Sequence, residues 1–268
     1  MKETLAVVAT MVGMFAAVFV GSAPVTLLMD HANPLYRPLG NLGIALAAVL
    51  IVYLWRRFVL RRSWRGVGLG WNARALPQAL LGVGAAVAAV GVAAAVTVAV
   101  GAGHWQPGLS DHVGAALLAV PTTMLAGQAF PEELLWRGNL YDVLARRLRP
   151  GAVIAICAVF FGVLHLASKS GAEGTAQHLL YVVQATALGF LCGAARARTG
   201  ALWAAIGAHL GLHVGNMLFA VRPTEYGVQL VLMTITMALA GAAFLVRART
   251  RRPGPASGDG PSAYNRQA

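Results

Sequence analysis

Apolar residues along this chain gather into eight long stretches. They run roughly over 5–29, 40–55, 76–102, 113–136, 151–168, 178–195, 201–220 and 228–246. Each approaches the ~20 residues that carry a helix across the hydrocarbon of a bilayer. Backbone in lipid must satisfy its own hydrogen bonds, so the stretches are expected to be helices. The predicted fold is an all-α, polytopic transmembrane bundle of about eight spans, with 1–252 as one domain. The tail 253–268 is rich in Pro, Gly and Ser and reads as a disordered cytoplasmic extension. The first stretch resembles a signal peptide in having Lys2 ahead of it and Gly21-Ser22-Ala23 within it. Its apolar run continues past Pro24 to Met29, however, which favours a retained span.

Composition agrees. Of 268 residues 58% are apolar and 11% charged, where a soluble domain carries about a quarter charged; mean hydropathy is +0.67. These values exclude a disordered chain and disfavour a soluble enzyme. Two cysteines, Cys157 and Cys192, lie inside apolar runs and build neither a disulfide framework nor a zinc ribbon. A net charge of +12 would ordinarily suggest nucleic acid. Here the arginines flank the spans and alternate in density from loop to loop, so no nucleic-acid partner is expected. The positive-inside rule then predicts a multi-pass plasma-membrane protein with both termini cytoplasmic.

Ionisable residues within spans are costly and mark functional sites by default. Of nine carboxylates, only Glu132 and Glu133 sit well inside an apolar stretch, and His165, His209 and His213 lie within the fifth and seventh. Glu133 and Arg137 are spaced i,i+4 and can pair. Glu132 projects about 100° away around the helix, so one carboxylate can be held while the other stays free. His209, His213 and Asn216 form one helical stripe, and Phe161 and His165 share a face. Glutamate acting as general base on water, with imidazoles assisting, is one chemistry for such a set. Zinc held by His and Glu with an open position is another. The plain alternatives are a helix-end ion pair for Glu133 and Arg137, interhelical hydrogen bonds for the histidines and Asn216, packing for Phe161, and interfacial belt positions for Trp136 and Trp203.

Three runs carry a resemblance: Glu132-Glu133-Leu134-Leu135-Trp136-Arg137 fits EExxxR, Phe161 to His165 fits FxxxH, and the approach to His209 is similar to an HxxxN or HxxxD motif. Together, over about Leu125 to Met217, they resemble the CPBP family of intramembrane proteases, which includes the CAAX prenyl endopeptidases and the Abi proteins. The resemblance implies an endopeptidase acting on a membrane-embedded or lipidated peptide or protein. It implies that Glu132 activates water, that Glu133 and Arg137 hold the site, that His165 assists the water and that His209 stabilises an oxyanion. The family is described both as zinc-dependent and as glutamate-dependent without zinc. If zinc is used, Glu132, His165, His209 and His213 are its expected ligands. The sequence departs from the motif in one place: His213 replaces the family's Asn or Asp, with Asn216 three residues on. His213 is then either an alternative oxyanion donor or half of a two-His metal pair.

Two other functions fit such a polar cluster, a non-catalytic immunity or scaffold protein and a proton-coupled transporter. Depth poses a further question. At 1.5 Å per residue His165 lies about 21 Å along its helix from Gly151 and His209 about 12 Å from Ala201. Straight helices would not bring them level with Glu132, so a longer, tilted or broken helix is expected, with Pro121, Pro131 and Pro150 as kink sites. The stretch Arg146 to Arg149 reads as an amphipathic segment on the inner membrane surface or as a plain topological anchor.

Overall fold

A computed structural model describes residues 2–106 and 113–249; the tail 253–268, read above as a disordered extension, lies outside the described residues. Among the described residues eight helices alternate in direction. They are α1 Lys2–Leu28, α2 Tyr36–Leu54 with a wide-turn continuation Trp55–Leu60, α3 Ala75–Ala99, and α4, a continuous rod over 113–144. Then follow α5 Pro150–Leu164 closing in a 3-10 turn His165–Ala167, α6 Gly174–Thr199, α7 Trp203–Leu218 and α8 Tyr226–Arg249. Six of these, among the described residues, are long and apolar enough to cross a membrane. The exceptions are α7, with 16 residues, and the polar-bearing rod α4. α1 runs unbroken through Pro24. The outward surface is apolar: Phe19, Leu28, Leu117 and Leu239 are each more than 60% exposed, as lipid requires and water would not tolerate over such an area.

The two ends of the bundle differ. One gathers the arginine-rich loops, where Leu202 N–H donates to Gly68 O at 2.8 Å, the Trp203 indole to Gly70 O at 2.9 Å, and Arg147 pairs with Glu3 at 2.9 Å. Residues 145–149 form a turn there rather than an amphipathic helix. The other end carries a two-stranded antiparallel ribbon, β1 Gly103–Trp105 with β2 Val221–Pro223, in which His104 faces Arg222.

Small residues set the helix spacing. Gly207 on α7 sits so close to α3 that a Cβ there would overlap the Ala79 carbonyl. Helices in lipid gain their association from such close packing rather than from expelling water.

The rod α4 departs from ordinary winding. Two segments, Val120–Ala129 and Leu134–Leu140, wind as π-helix, with short α segments before, between and after them. Pro121 lies at the start of the first wide segment and Pro131 at the start of the α segment Phe130–Glu133. A proline offers no N–H and its ring crowds the carbonyl four residues back, and a wider turn relieves both problems without breaking the helix. Pro150 makes no kink. It is the first residue of α5, where the missing N–H costs nothing.

Three sequence expectations are corrected. Trp136 is not a belt residue: it is fully buried and packs edge-on against Phe161 with centroids 6.0 Å apart. Three residues after Glu133, it follows the polar pair into the bundle interior. Arg56 and Arg196, which by position belong with the arginines flanking the spans, are buried bolts. Arg56 donates to Asp142 Oδ2 at 2.9 Å and to Ser63 O at 2.6 Å. Arg196 donates to Arg137 O at 3.1 Å and Gly66 O at 3.3 Å. By contrast Trp203 does lie at the arginine-rich end, edge-on to Trp71 at 5.3 Å.

Candidate active site

Glu133 is the fixed point. Its side chain is wholly buried, and Oε1 accepts a hydrogen bond from Arg137 Nη1 at 2.9 Å, the i,i+4 pair. The same oxygen lies 2.9 Å from His209 Nδ1 on α7. A carboxylate can only accept, so Nδ1 of His209 carries the proton and its Nε2 turns toward the second carboxylate. Arg137 is pinned on its other side by Gly189 O on α6, at 2.8 Å. The absence of a side chain at Gly189 permits this, because a Cβ there would come within 2.9 Å of the guanidinium. The guanidinium also lies over the Phe161 ring, 4.6 Å from its centroid.

Glu132, one residue earlier on the rod, points elsewhere. Its Oε2 is 3.9 Å from His209 Nε2, too far for a direct hydrogen bond. It lines a cavity of about 660 Å³ together with His165, His209, His213 and Asn216. One carboxylate is therefore immobilised and the other faces open volume.

Phe161 organises the histidines. Its ring lies 4.7 Å from that of His165 and 5.9 Å from that of His209. The two imidazoles, on different helices, are thus held within the sum of two ring contacts. His165 is the residue after the last of α5, and its Nδ1 donates to Phe161 O at 2.8 Å. That bond caps one of the free carbonyls at the helix end and leaves Nε2 unprotonated in the neutral ring. His213 stacks on His209 with centroids 5.3 Å apart, and its Nε2 is buried without a hydrogen-bond partner. Asn216 is exposed on the cavity wall farther along α7.

The expected residues are thus gathered on α4, α5 and α7. Sequence reasoning passed over a contribution from α6. Tyr181 sits 5.7 Å from His165, and Gln184, buried, lines the cavity. An isolated Gln or Tyr in an apolar run carries no motif, so only the fold reveals them. Among the described residues no three His, Cys, Asp or Glu side chains converge to hold an ion.

Residues 114–215 match the family model described as Type II CAAX prenyl endopeptidase Rce1-like. The matched segment covers most of the three-motif region and contains Glu132, Glu133, Arg137, His165, His209 and His213. It supports an intramembrane endopeptidase in general terms. No curated protein matches the chain.

Proposed function

We propose, from the match of residues 114–215 to the Rce1-like CAAX endopeptidase family model, that this protein hydrolyses a peptide bond within the membrane by carboxylate and imidazole chemistry. The observation that carries the proposal is the split between adjacent carboxylates. Glu133 is locked between Arg137 and His209, while Glu132 faces the cavity shared by three histidines.

In this mechanism Glu132 takes a proton from a water molecule as the water oxygen bonds to the scissile carbonyl carbon. The Nε2 lone pair of His165 accepts a hydrogen bond from the same water and orients it. The carbonyl oxygen gains charge, and an N–H at His213 Nε2, which has no other partner, stabilises it. The C–N bond then breaks, and the proton held by Glu132 passes to the departing amine. Glu133 and Arg137 touch no reacting atom. They are positioning residues that fix the tautomer and orientation of His209, whose Nε2 faces Glu132 and can accept a hydrogen bond from the same water.

The test is purified protein in nanodiscs, incubated with a peptide mixture and read by mass spectrometry. Wild-type protein is expected to generate new termini, and Glu132→Gln to slow cleavage at least ~100-fold with the melting temperature unchanged. Cleavage that survives Glu132→Gln, or no cleavage by wild type, refutes the assignment. In the second case a scaffold role takes its place.

A further inference from the structure

We infer that the cavity receives an extended, unlipidated peptide segment delivered from the non-cytoplasmic face of the membrane. What becomes of that segment rests on the hydrolytic mechanism above; how it enters does not.

The first observation is direction. Cavity walls at the mouth come from Gln106, Gly171, Glu173 and Thr224, all in loops at the ribbon end of the bundle. The basic residues of the loops and their flanks there are Arg37, Lys169 and Arg222, whereas the opposite end holds eleven arginines over 56–74, 146–149 and 196–198. Setting aside the buried Arg56 and Arg196 still leaves nine against three. The positive-inside rule places the arginine-rich end in the cytoplasm and so turns the mouth away from it.

The second observation is the lining. The chain has seven glutamines, and five of them, Gln106, Gln128, Gln177, Gln184 and Gln229, border this one cavity. They arrive from α4, α6, α8 and the loop after β1. A carboxamide offers both a donor and an acceptor. An extended backbone at this depth needs a partner for every N–H and C=O. Gln184 Nε2 has only the thioether of Met237, a weak acceptor at 3.5 Å, as its hydrogen-bond partner among the described residues. An isoprenoid or acyl chain would gain nothing from these amides and would strip them of water at a cost.

The third observation is depth. The 16 residues of α7 rise about 24 Å, less than the ~30 Å of hydrocarbon. Starting from the arginine-rich end, α7 stops short of the far surface. Beyond its end the ribbon residues Val221 and Pro223 and the loop residue Thr224 border the cavity.

Two measurements test the inference. Cys157 and Cys192 are buried and give little labelling background. Glu173→Cys and Arg65→Cys are expressed separately, and intact cells are treated with a membrane-impermeant maleimide. Labelling of Glu173→Cys alone is expected, and labelling of Arg65→Cys alone, of both or of neither overturns the inference. The second measurement uses Glu132→Gln protein in nanodiscs with a fluorescein-labelled peptide of Ala, Ser and Val, bearing or lacking an S-farnesyl cysteine. Equal affinity for the two forms is expected. The further pair Gln128→Leu/Gln184→Leu should weaken binding about tenfold while labelling of Glu173→Cys is kept. Binding of neither form, farnesyl-dependent binding, or affinity unchanged by the glutamine substitutions overturns it. If the peptide binds as expected but wild type cleaves nothing, the hydrolytic mechanism fails and this inference stands.

Discussion

His209 Nδ1 on α7 and Glu133 Oε1 on α4 lie 2.9 Å apart although 76 positions separate them in the chain. That bond joins two helices and selects one imidazole tautomer. With Arg137 on the same oxygen, it makes Glu133 a hub whose loss would be felt in both folding and chemistry.

Removing one partner of a buried ion pair strands the other charge. Arg137→Met is therefore expected to destabilise the protein by roughly 3–5 kcal/mol, seen as a lowered melting temperature in detergent. Glu133→Leu combined with Arg137→Met should regain much of that stability, because neither charge is left buried alone. Activity should stay lost in the double variant, because His209 no longer has an acceptor for Nδ1–H. A double variant that cleaves peptides at the wild-type rate removes the positioning role.

At position 213 the chain has a histidine where the resembling motif has Asn or Asp. An N–H donor is what the oxyanion needs, and a carboxamide also supplies one. His213→Asn should keep activity within about tenfold of wild type, whereas His213→Ala should lower kcat about 100-fold with KM little changed. Equal activity of the alanine and asparagine variants would show that no donor is required there.

Much of this arrangement was legible before any coordinates, and for identifiable reasons. A bilayer permits so few backbone solutions that long apolar runs convert almost directly into helices. The pairing of Glu133 with Arg137, and of Phe161 with His165, follows from i,i+4 spacing alone. Other features left no trace. The wide turns of α4 are invisible because its residues are apolar on several faces, so no periodicity reports a change of winding. Trp136 looks interfacial from its type and its nearness to Arg137, yet tertiary packing buries it against Phe161. The ring of glutamines is scattered over more than a hundred residues and converges only when four elements come together. Arg56 and Arg196 resemble ordinary flanking charges until their acceptors Asp142, Ser63, Arg137 and Gly66 are located.

The seam between α3 and α7 tolerates no added bulk. Gly207→Val should force the helices apart at the Ala79 carbonyl and destabilise the protein by roughly 1–3 kcal/mol, measured by thermal denaturation. Because α7 carries His209 and His213, residual folded protein should also show reduced cleavage. Gly84→Val, where a side chain meets open space, is the matched control and should alter neither property.

Chelation bears on the chemistry. Among the described residues no three metal-ligating side chains converge. Dialysis of active protein against a strong zinc chelator is therefore expected to leave the rate unchanged. A loss restored by added zinc, accompanied by stoichiometric metal in the purified protein, would replace the glutamate mechanism with a metal-assisted one.

The π-wound stretches of α4 place Glu132 in a particular angular setting, as the pitch of a screw thread sets where a slot comes to rest. Each residue of a helix turns the thread by about 100°. Deleting a single residue from Val120–Ala129 would let that stretch relax to ordinary α winding. Side chains on both sides of the cut would then stay nearer their native directions. The same deletion in an ordinary α-helix would spin every downstream side chain onto the wrong neighbour.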